Sequence, residues 1–248
     1  MLFYGDYHTH TRDSDGINTI EQNIAAASKK GLKEIAITDH GFRNMFCLTE
    51  RKVKRQKTEI ERCREKYKDV NILYGIEADL IGTDGRIDIK DNQFEYFDVV
   101  IAGFHPSAVP YGVKDYFFID LTTYYSVLFT PPKSVIRRNT RSAIAMLERY
   151  DIDIFPHINH SFYVDIDEVA KACADTGTYL ELNEKHIDYT TFERLFKSEA
   201  KLIAGTDAHT SKKIGNFEGI ERFVRDNGFD IGRIANFGGA VSFKKHKK

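Results

Sequence analysis

Short apolar runs, each closing on a polar residue, recur along the chain and alternate with stretches of helical spacing. The runs are LFYGDYH near the start, EIAIT, NILYGIEA (71–78), DVVIAGF (98–104), DIDIFP (151–156), TYLELN (178–183) and LIAGT (202–206). Several are almost continuously apolar, as strands buried on both faces are. Between them, TIEQNIAAASKKG pairs Thr19 with Gln22 as a capping box and stops at Gly31, the start and stop signals of a helix. TERKVKRQKTEIERCREKYK reads as a long helix whose alternating charges face solvent. NTRSAIAMLERY, DIDEVAKACADTG, TTFERLFKSEAK and EGIERFVRDNG supply four more. Seven strands alternating with helices predict parallel βα units in one α/β domain, closed as a barrel or left open.

One stretch breaks the rhythm. An excursion around residues 106–138, between the fourth and fifth strands, is rich in Tyr and Phe and punctuated by Pro. It is longer than an ordinary connection, and reads either as an extra helix packed on the barrel or as a lid facing substrate. The domain is expected to span 1–244, and the closing basic run (245–248) to be a solvated, frayed tail.

The bulk properties narrow the setting. A chain of 248 residues suffices for one such domain. Thirty-six Lys and Arg balance 37 Asp and Glu, for a net charge of −1. That gives no reason to expect a nucleic-acid or membrane partner. Cys47, Cys63 and Cys173 form neither a CxxC pair nor a disulfide framework, which suits a reducing compartment. MLFYGDYH lacks the pattern of a signal peptide, and YFFIDLTTYYSVLF is broken by Asp120 and too short to span a bilayer. The expectation is a cytoplasmic protein.

The residues that close the strands change the picture. In chain order they are His8 and His10, Asp39 and His40, Glu77, His105, His157, Glu181 and Asn183, then Asp207 and His209. In a barrel of parallel strands these ends meet on one face, where active sites are built. A lone His105 or His157 would be an ordinary hydrogen-bonded histidine, and Glu77 alone a costly buried carboxylate. Together, six of nine histidines with several carboxylates are explained if cations neutralise the acids and neutral imidazoles bind the same cations. The absence of thiolates favours Zn²⁺, Mn²⁺ or Fe, and about nine donors exceed one tetrahedral ion.

HTHTRDSDG, AITDHG, GIEAD, AGFH, PHIN and GTDAH occur in this order. From about Gly5 to His209 the chain resembles the polymerase and histidinol phosphatase (PHP) family of metal-dependent phosphoesterases. The resemblance implies a distorted seven-stranded (β/α)7 TIM-like barrel with three divalent metals at the C-terminal ends of the strands. It implies that His8, His10, Glu77 and Asp207 hold one metal, with Glu77 bridging to a second completed by His105 and His157. Asp15, His40 and His209 would hold the third. Family members usually read His-Pro where this chain has Pro156-His157, so His160 competes with His157.

Clustered divalent ions lower the pKa of bound water towards neutrality, so a metal-bridging hydroxide attacking a phosphomonoester is the expected chemistry. Asp207 or a metal-bound water would protonate the leaving alcohol, and His209 is expected among the catalytic residues with Asp207. Arg12 and Arg43, within and just after the first two motifs, are expected phosphate contacts, with Arg137, Arg138 and Lys185 as further cations. Asp39 and Asn183 read as residues that orient ligands. The leading expectation is a phosphatase acting on a small phosphorylated metabolite. Three readings compete: a phosphodiesterase or nuclease, a non-catalytic metal-binding module, and a hydrolase of C–N bonds. The last typically has a bridging lysine, and no strand end here carries one.

Overall fold

The computed structural model describes residues 3–117, 129 and 131–246. Seven strands run parallel in chain order: β1 (Gly5–Asp6), β2 (Glu34–Ile37), β3 (Asn71–Asp79), β4 (Val99–Gly103), β5 (Ile154–Phe155), β6 (Tyr179–Asn183) and β7 (Leu202–Gly205). Between or after them run helices α1 (Ile20–Lys30), α2 (Glu50–Lys66), α3 (Lys133–Arg149), α4 (Ile166–Thr176), α5 (Tyr189–Lys197) and α6 (Glu218–Asn227). The result is a single α/β barrel of the distorted TIM type. No helix among the described residues is long and apolar enough to cross a membrane.

Local chemistry sets most boundaries. Thr19 and Gln22 make both halves of the capping box of α1, and Gly31 ends it at φ 80°, a conformation glycine adopts without strain. Helix α3 begins at Lys133 rather than at Asn139, because Pro132 stands in extended backbone (φ −59°, ψ 150°) as its cap. Strands β1 and β5 are two residues each, much shorter than their apolar runs. Residues 118–128 and 130 of the aromatic excursion lie outside the described residues.

The barrel interior has two levels. Tyr7, Ala36, Val99, Ile101, Ile154 and Ile203 form an apolar floor. The same strand faces, two residues at a time, then carry Glu77 above Gly75, Glu181 above Tyr179 and Asp207 above Gly205. A polar bowl therefore rests on an apolar plug.

The C-terminal residues complete that plug, contrary to the expected frayed tail. Phe243 packs edge-on against Tyr7, with ring centroids 5.0 Å apart. The Lys244 amide donates to Asp153 Oδ1 (2.7 Å), and His246 Nε2 lies 2.6 Å from Asp153 Oδ2. Asp153 is a buried carboxylate that would otherwise lack a cation, which is why basic residues fold back here.

The seam between β1 and β7 is sealed largely by side chains. Asn236 Nδ2 donates to the Gly5 and Ala204 carbonyls (2.9 Å each), and its Oδ1 accepts from the Ala204 amide at 2.9 Å. Asp6 accepts from the Thr206 hydroxyl (2.5 Å), the Thr206 amide (3.3 Å) and the Gly215 amide (2.9 Å). Only above this, at Thr9 and Ala208, does a backbone bridge close the ring.

Candidate metal centre

Glu77, buried on β3, stands at the centre of the bowl. Its Oε1 faces Nε2 of His8 (3.1 Å), His105 (3.3 Å) and His157 (3.0 Å). Its Oε2 faces His10 Nε2 (3.3 Å) and His40 Nδ1 (3.2 Å). Five imidazoles from four strand ends thus converge on one carboxylate. Beside them, His209 Nε2 lies 2.9 Å and His40 Nε2 3.4 Å from Asp15 Oδ2. Asp207 Oδ1 is 3.5 Å from His10 Nε2 and 4.0 Å from His8 Nε2.

The backbone is bent to make this convergence. His157 (φ 27°) and Asp207 (φ 50°) both adopt positive φ, which costs a non-glycine residue of order 1–3 kcal/mol and clusters at functional sites.

Neighbouring groups fix the imidazole tautomers. His8 Nδ1 lies 2.8 Å from Glu181 Oε1, and His105 Nδ1 2.6 Å from Asp79 Oδ1. His209 Nδ1 lies 2.9 Å from the Asp207 carbonyl. In each ring Nδ1 carries the donated proton, so a neutral ring turns its Nε2 lone pair towards a carboxylate oxygen. Lone pair facing lone pair is repulsive unless a cation lies between. Consistently, His8 Nε2, His10 Nε2, His40 Nδ1 and Glu77 Oε2 are buried with no hydrogen-bond partner in the structure. The donor set therefore fits divalent metal ions. The field points the same way: burial pulls the His8 pKa down, but Glu77, Glu181 and Asp207 outweigh it and raise it well above the ordinary value. Burial likewise pushes Glu77 up, but His105 and His8 hold it well below the usual carboxylate range. A field that retains a proton on these rings also favours a metal cation competing for the same lone pairs.

Three groups of side chains bring one donor atom each within 4.8 Å of one another: His8, His10 and Asp207; His40, Glu77 and His105; and His10, Asp15, His40 and His209. All nine expected metal residues lie in the bowl. The grouping differs in placing His40 with Glu77 and His105, where His157 was expected. His157 still reaches Glu77, whereas His160 is exposed and stacks on His186, ring centroids 3.5 Å apart.

The supporting residues are more numerous than the motifs suggest. Glu181 bonds His8 through Oε1, while its Oε2 accepts from the His157 amide (2.9 Å) and Asn183 Nδ2 (2.8 Å). Asp39 accepts from the Thr11 amide and hydroxyl (2.6 Å each) and the Ser14 hydroxyl (2.5 Å), shaping the first motif. Gln56, buried on α2, donates to Asp39 (2.6 Å) and Asp13 (3.1 Å) and accepts from the Tyr74 hydroxyl (2.9 Å). Sequence reading passed over Gln56, although a glutamine among the apolar positions Val53, Ile60 and Cys63 was its signal. Asp79, two residues past Glu77, was likewise passed over.

The arginines lie differently from expectation. Arg43 Nε and Nη2 donate to the Val109 and Pro110 carbonyls (3.2 and 3.1 Å), tying down the start of the excursion. Arg12 is exposed, with no side-chain partner among the described residues. The basic group beside the bowl is Lys185, whose Nζ lies 3.3 Å from Asp207 Oδ1 and 3.3 and 3.4 Å from the His209 nitrogens.

Comparison with known proteins agrees with this architecture. A "probable phosphatase" of Thermoanaerobacter sp. (strain X514) is 27% identical over 263 residues, covering 94% of this chain and 93% of that protein. The DNA polymerase/3'-5' exonuclease PolX of Bacillus subtilis (strain 168) is 29% identical over 228 residues, 86% of this chain but 35% of PolX. Among solved structures, histidinol phosphate phosphatase from Lactococcus lactis, crystallised with zinc, L-histidinol and phosphate, superposes with a TM-score of 0.64 at 18% identity. That match covers 100% of this chain and 99% of the other, and shows a shared fold. The sequence profile of the PHP domain matches residues 6–185, most of the chain, including all but two of the nine clustered residues. The chain belongs to the PHP domain family.

Proposed function

We propose that this enzyme hydrolyses phosphomonoesters of a small metabolite, in the manner of a histidinol phosphatase, with three divalent metals held in the bowl. The observation that carries the reading is Glu77 among five imidazoles, three of which, His8, His10 and His40, turn an inward nitrogen with no hydrogen-bond partner. His8, His10, Glu77 and Asp207 would hold one ion, Glu77, His105 and His157 a second, and Asp15, His40 and His209 a third. The nitrogen and oxygen donors suit zinc, with manganese or iron accepted by the same set. When bound, such ions supply an activated water near neutral pH and neutralise the phosphoryl oxygens.

The chain's own residues then have defined tasks. Glu181, Asp79 and the Asp207 carbonyl hold the imidazoles by Nδ1, so that each Nε2 remains a donor to metal. Lys185, on the rim beside Asp207 and His209, contributes positive charge where a phosphoryl group would sit.

PolX makes cleavage of phosphodiesters the second reading. A panel of phosphorylated metabolites, a phosphodiester and single-stranded DNA, assayed with zinc, manganese and iron forms, separates the two. Turnover of the diester without any monoester would refute the phosphatase. A protein that keeps no metal after reconstitution would refute both.

A further inference from the structure

Beside the bowl a cavity of about 370 Å³ shares Asp207 and His209 with the metal residues and extends past the end of β7. Its remaining walls are Glu184, Lys185, Thr206, Thr210, Lys213 and Asn216, without one apolar side chain. Of its two carboxylates, one is turned to backbone donors and the other is shared among several groups. Glu184 caps the start of α6, accepting from the Gly219 amide (2.8 Å) and the Ile220 amide (2.9 Å). Asp207 faces the imidazoles of His8 and His10. Lys213 is exposed, and its ammonium has no hydrogen-bond or ion-pair partner among the described residues. Lys185 shares Asp207 with four imidazoles, those of His8, His10, His186 and His209. The space beside the phosphoryl site thus holds one unpaired ammonium, that of Lys213, and a second whose carboxylate is shared.

Resting on the phosphatase reading above, we infer that this cavity seats the alcohol portion of the substrate and selects phosphomonoesters whose alcohol bears a second anionic group, phosphoryl or carboxylate, read by Lys213 with Lys185. The inference separates this chain from a true histidinol phosphatase. Histidinol carries an amine that is cationic at neutral pH, and two lysines repel it. Hydroxyl-bearing alcohols suit the Thr210 and Asn216 walls, whereas an aryl or alkyl alcohol meets no apolar residue among them.

Matched pairs test this with the metal-loaded, full-length enzyme: 3-phosphoglycerate against glycerol 3-phosphate, and fructose 1,6-bisphosphate against fructose 6-phosphate, with histidinol phosphate as the cationic arm. The first member of at least one pair should show a kcat/KM about tenfold or more above the second, as a charge-assisted contact gives. Histidinol phosphate should fall below both preferred esters. The carboxylate and phosphoryl pairs distinguish the two kinds of second anion. In Lys213→Ala the ratio within the preferred pair should fall about tenfold, and Lys213→Arg should restore most of it. A ratio near one in the wild type, a ratio untouched by Lys213→Ala, or histidinol phosphate as the best ester would overturn the inference while leaving a phosphatase. Failure to hydrolyse any monoester would overturn the phosphatase reading and this inference with it.

Discussion

Replacing Gly205 by alanine adds one methyl group at the base of the bowl and isolates the role of Glu181. A Cβ there would lie 1.9 Å from Glu181 Oε1 and 2.8 Å from its carboxyl carbon, on a residue whose own φ is unexceptional. The methyl is fixed to β7, so the carboxylate must retreat by about 1.5 Å to reach ordinary contact. Its bond to His8 Nδ1, now 2.8 Å, would then stretch beyond hydrogen-bond reach. The bonds from the His157 amide and Asn183 would weaken with it. Losing a partner of this kind costs metal affinity about 10–100-fold, and leaving the buried His8 and His157 donors unpaired costs about 2–4 kcal/mol of stability. Metal analysis after dialysis against graded chelator, with calorimetry on the metal-free protein, reads both. Glu181→Gln, which keeps shape and loses charge, should reproduce part of the affinity loss. A Gly205→Ala protein that holds metal and melts like the wild type would refute the claim that Glu181 orients the imidazoles.

Three further outcomes follow from the geometry. Burial raises the pKa of Asp6 from 3.8 to about 6 despite the bonds from Thr206 and Gly215. A carboxyl that holds its proton more tightly folded than unfolded stabilises most below the unfolded value and loses that contribution as pH rises through the folded one. The stability difference between wild type and Asp6→Asn should therefore fall by about 2 kcal/mol from pH 4 to 6. Parallel denaturation curves over that range would refute it. His246→Ala, by removing one of three hydrogen-bond partners of the buried Asp153, should cost about 1–3 kcal/mol, visible as a melting point lowered by about 2–12 °C. An unchanged melting point would mean that the C-terminal residues do not seal the barrel. Finally, His157→Ala should lower the metal content of the purified protein, whereas His160→Ala should leave it intact; the reverse pattern would reassign the ligand.

Much of this was legible in the chain because each strand announces itself twice, by an apolar run and by the metal-capable residue that closes it. Glu77, His105 and His209 needed only the barrel to be brought together. The expected partition of ligands was less secure, because His40 sits between two groups and sequence order cannot tell which it joins. Arg43 was misjudged for a different reason. An arginine near a phosphate motif looks like a phosphate contact, yet here its donors meet the Val109 and Pro110 carbonyls, a contact between loops 66 and 67 residues apart. Lys185 drew less weight than Arg12, although its place beyond β6 brings it against Asp207. The basic tail was misread because the acid it answers, Asp153, lies 93 residues from His246 and leaves no trace in local composition. Gln56 shows the remaining gap: only its burial among apolar positions marked it.

The wedge formed by Asn236 has a consequence for how the protein is made. Its side chain joins Gly5 to Ala204 across a separation of 231 residues from the first strand, and the Asp6–Thr206 contact spans 200. During synthesis from the N-terminus, the first six strands can emerge and pair with nothing to close them. His8 and His10 must then wait for Asp207, and the ring stays open until residue 236 has left the ribosome. Closures this distant in sequence are slow and are made late. The metal-binding bowl is therefore completed only once Asn236 is in place, so that retention of metal reports that the segment through that residue has been made and correctly closed.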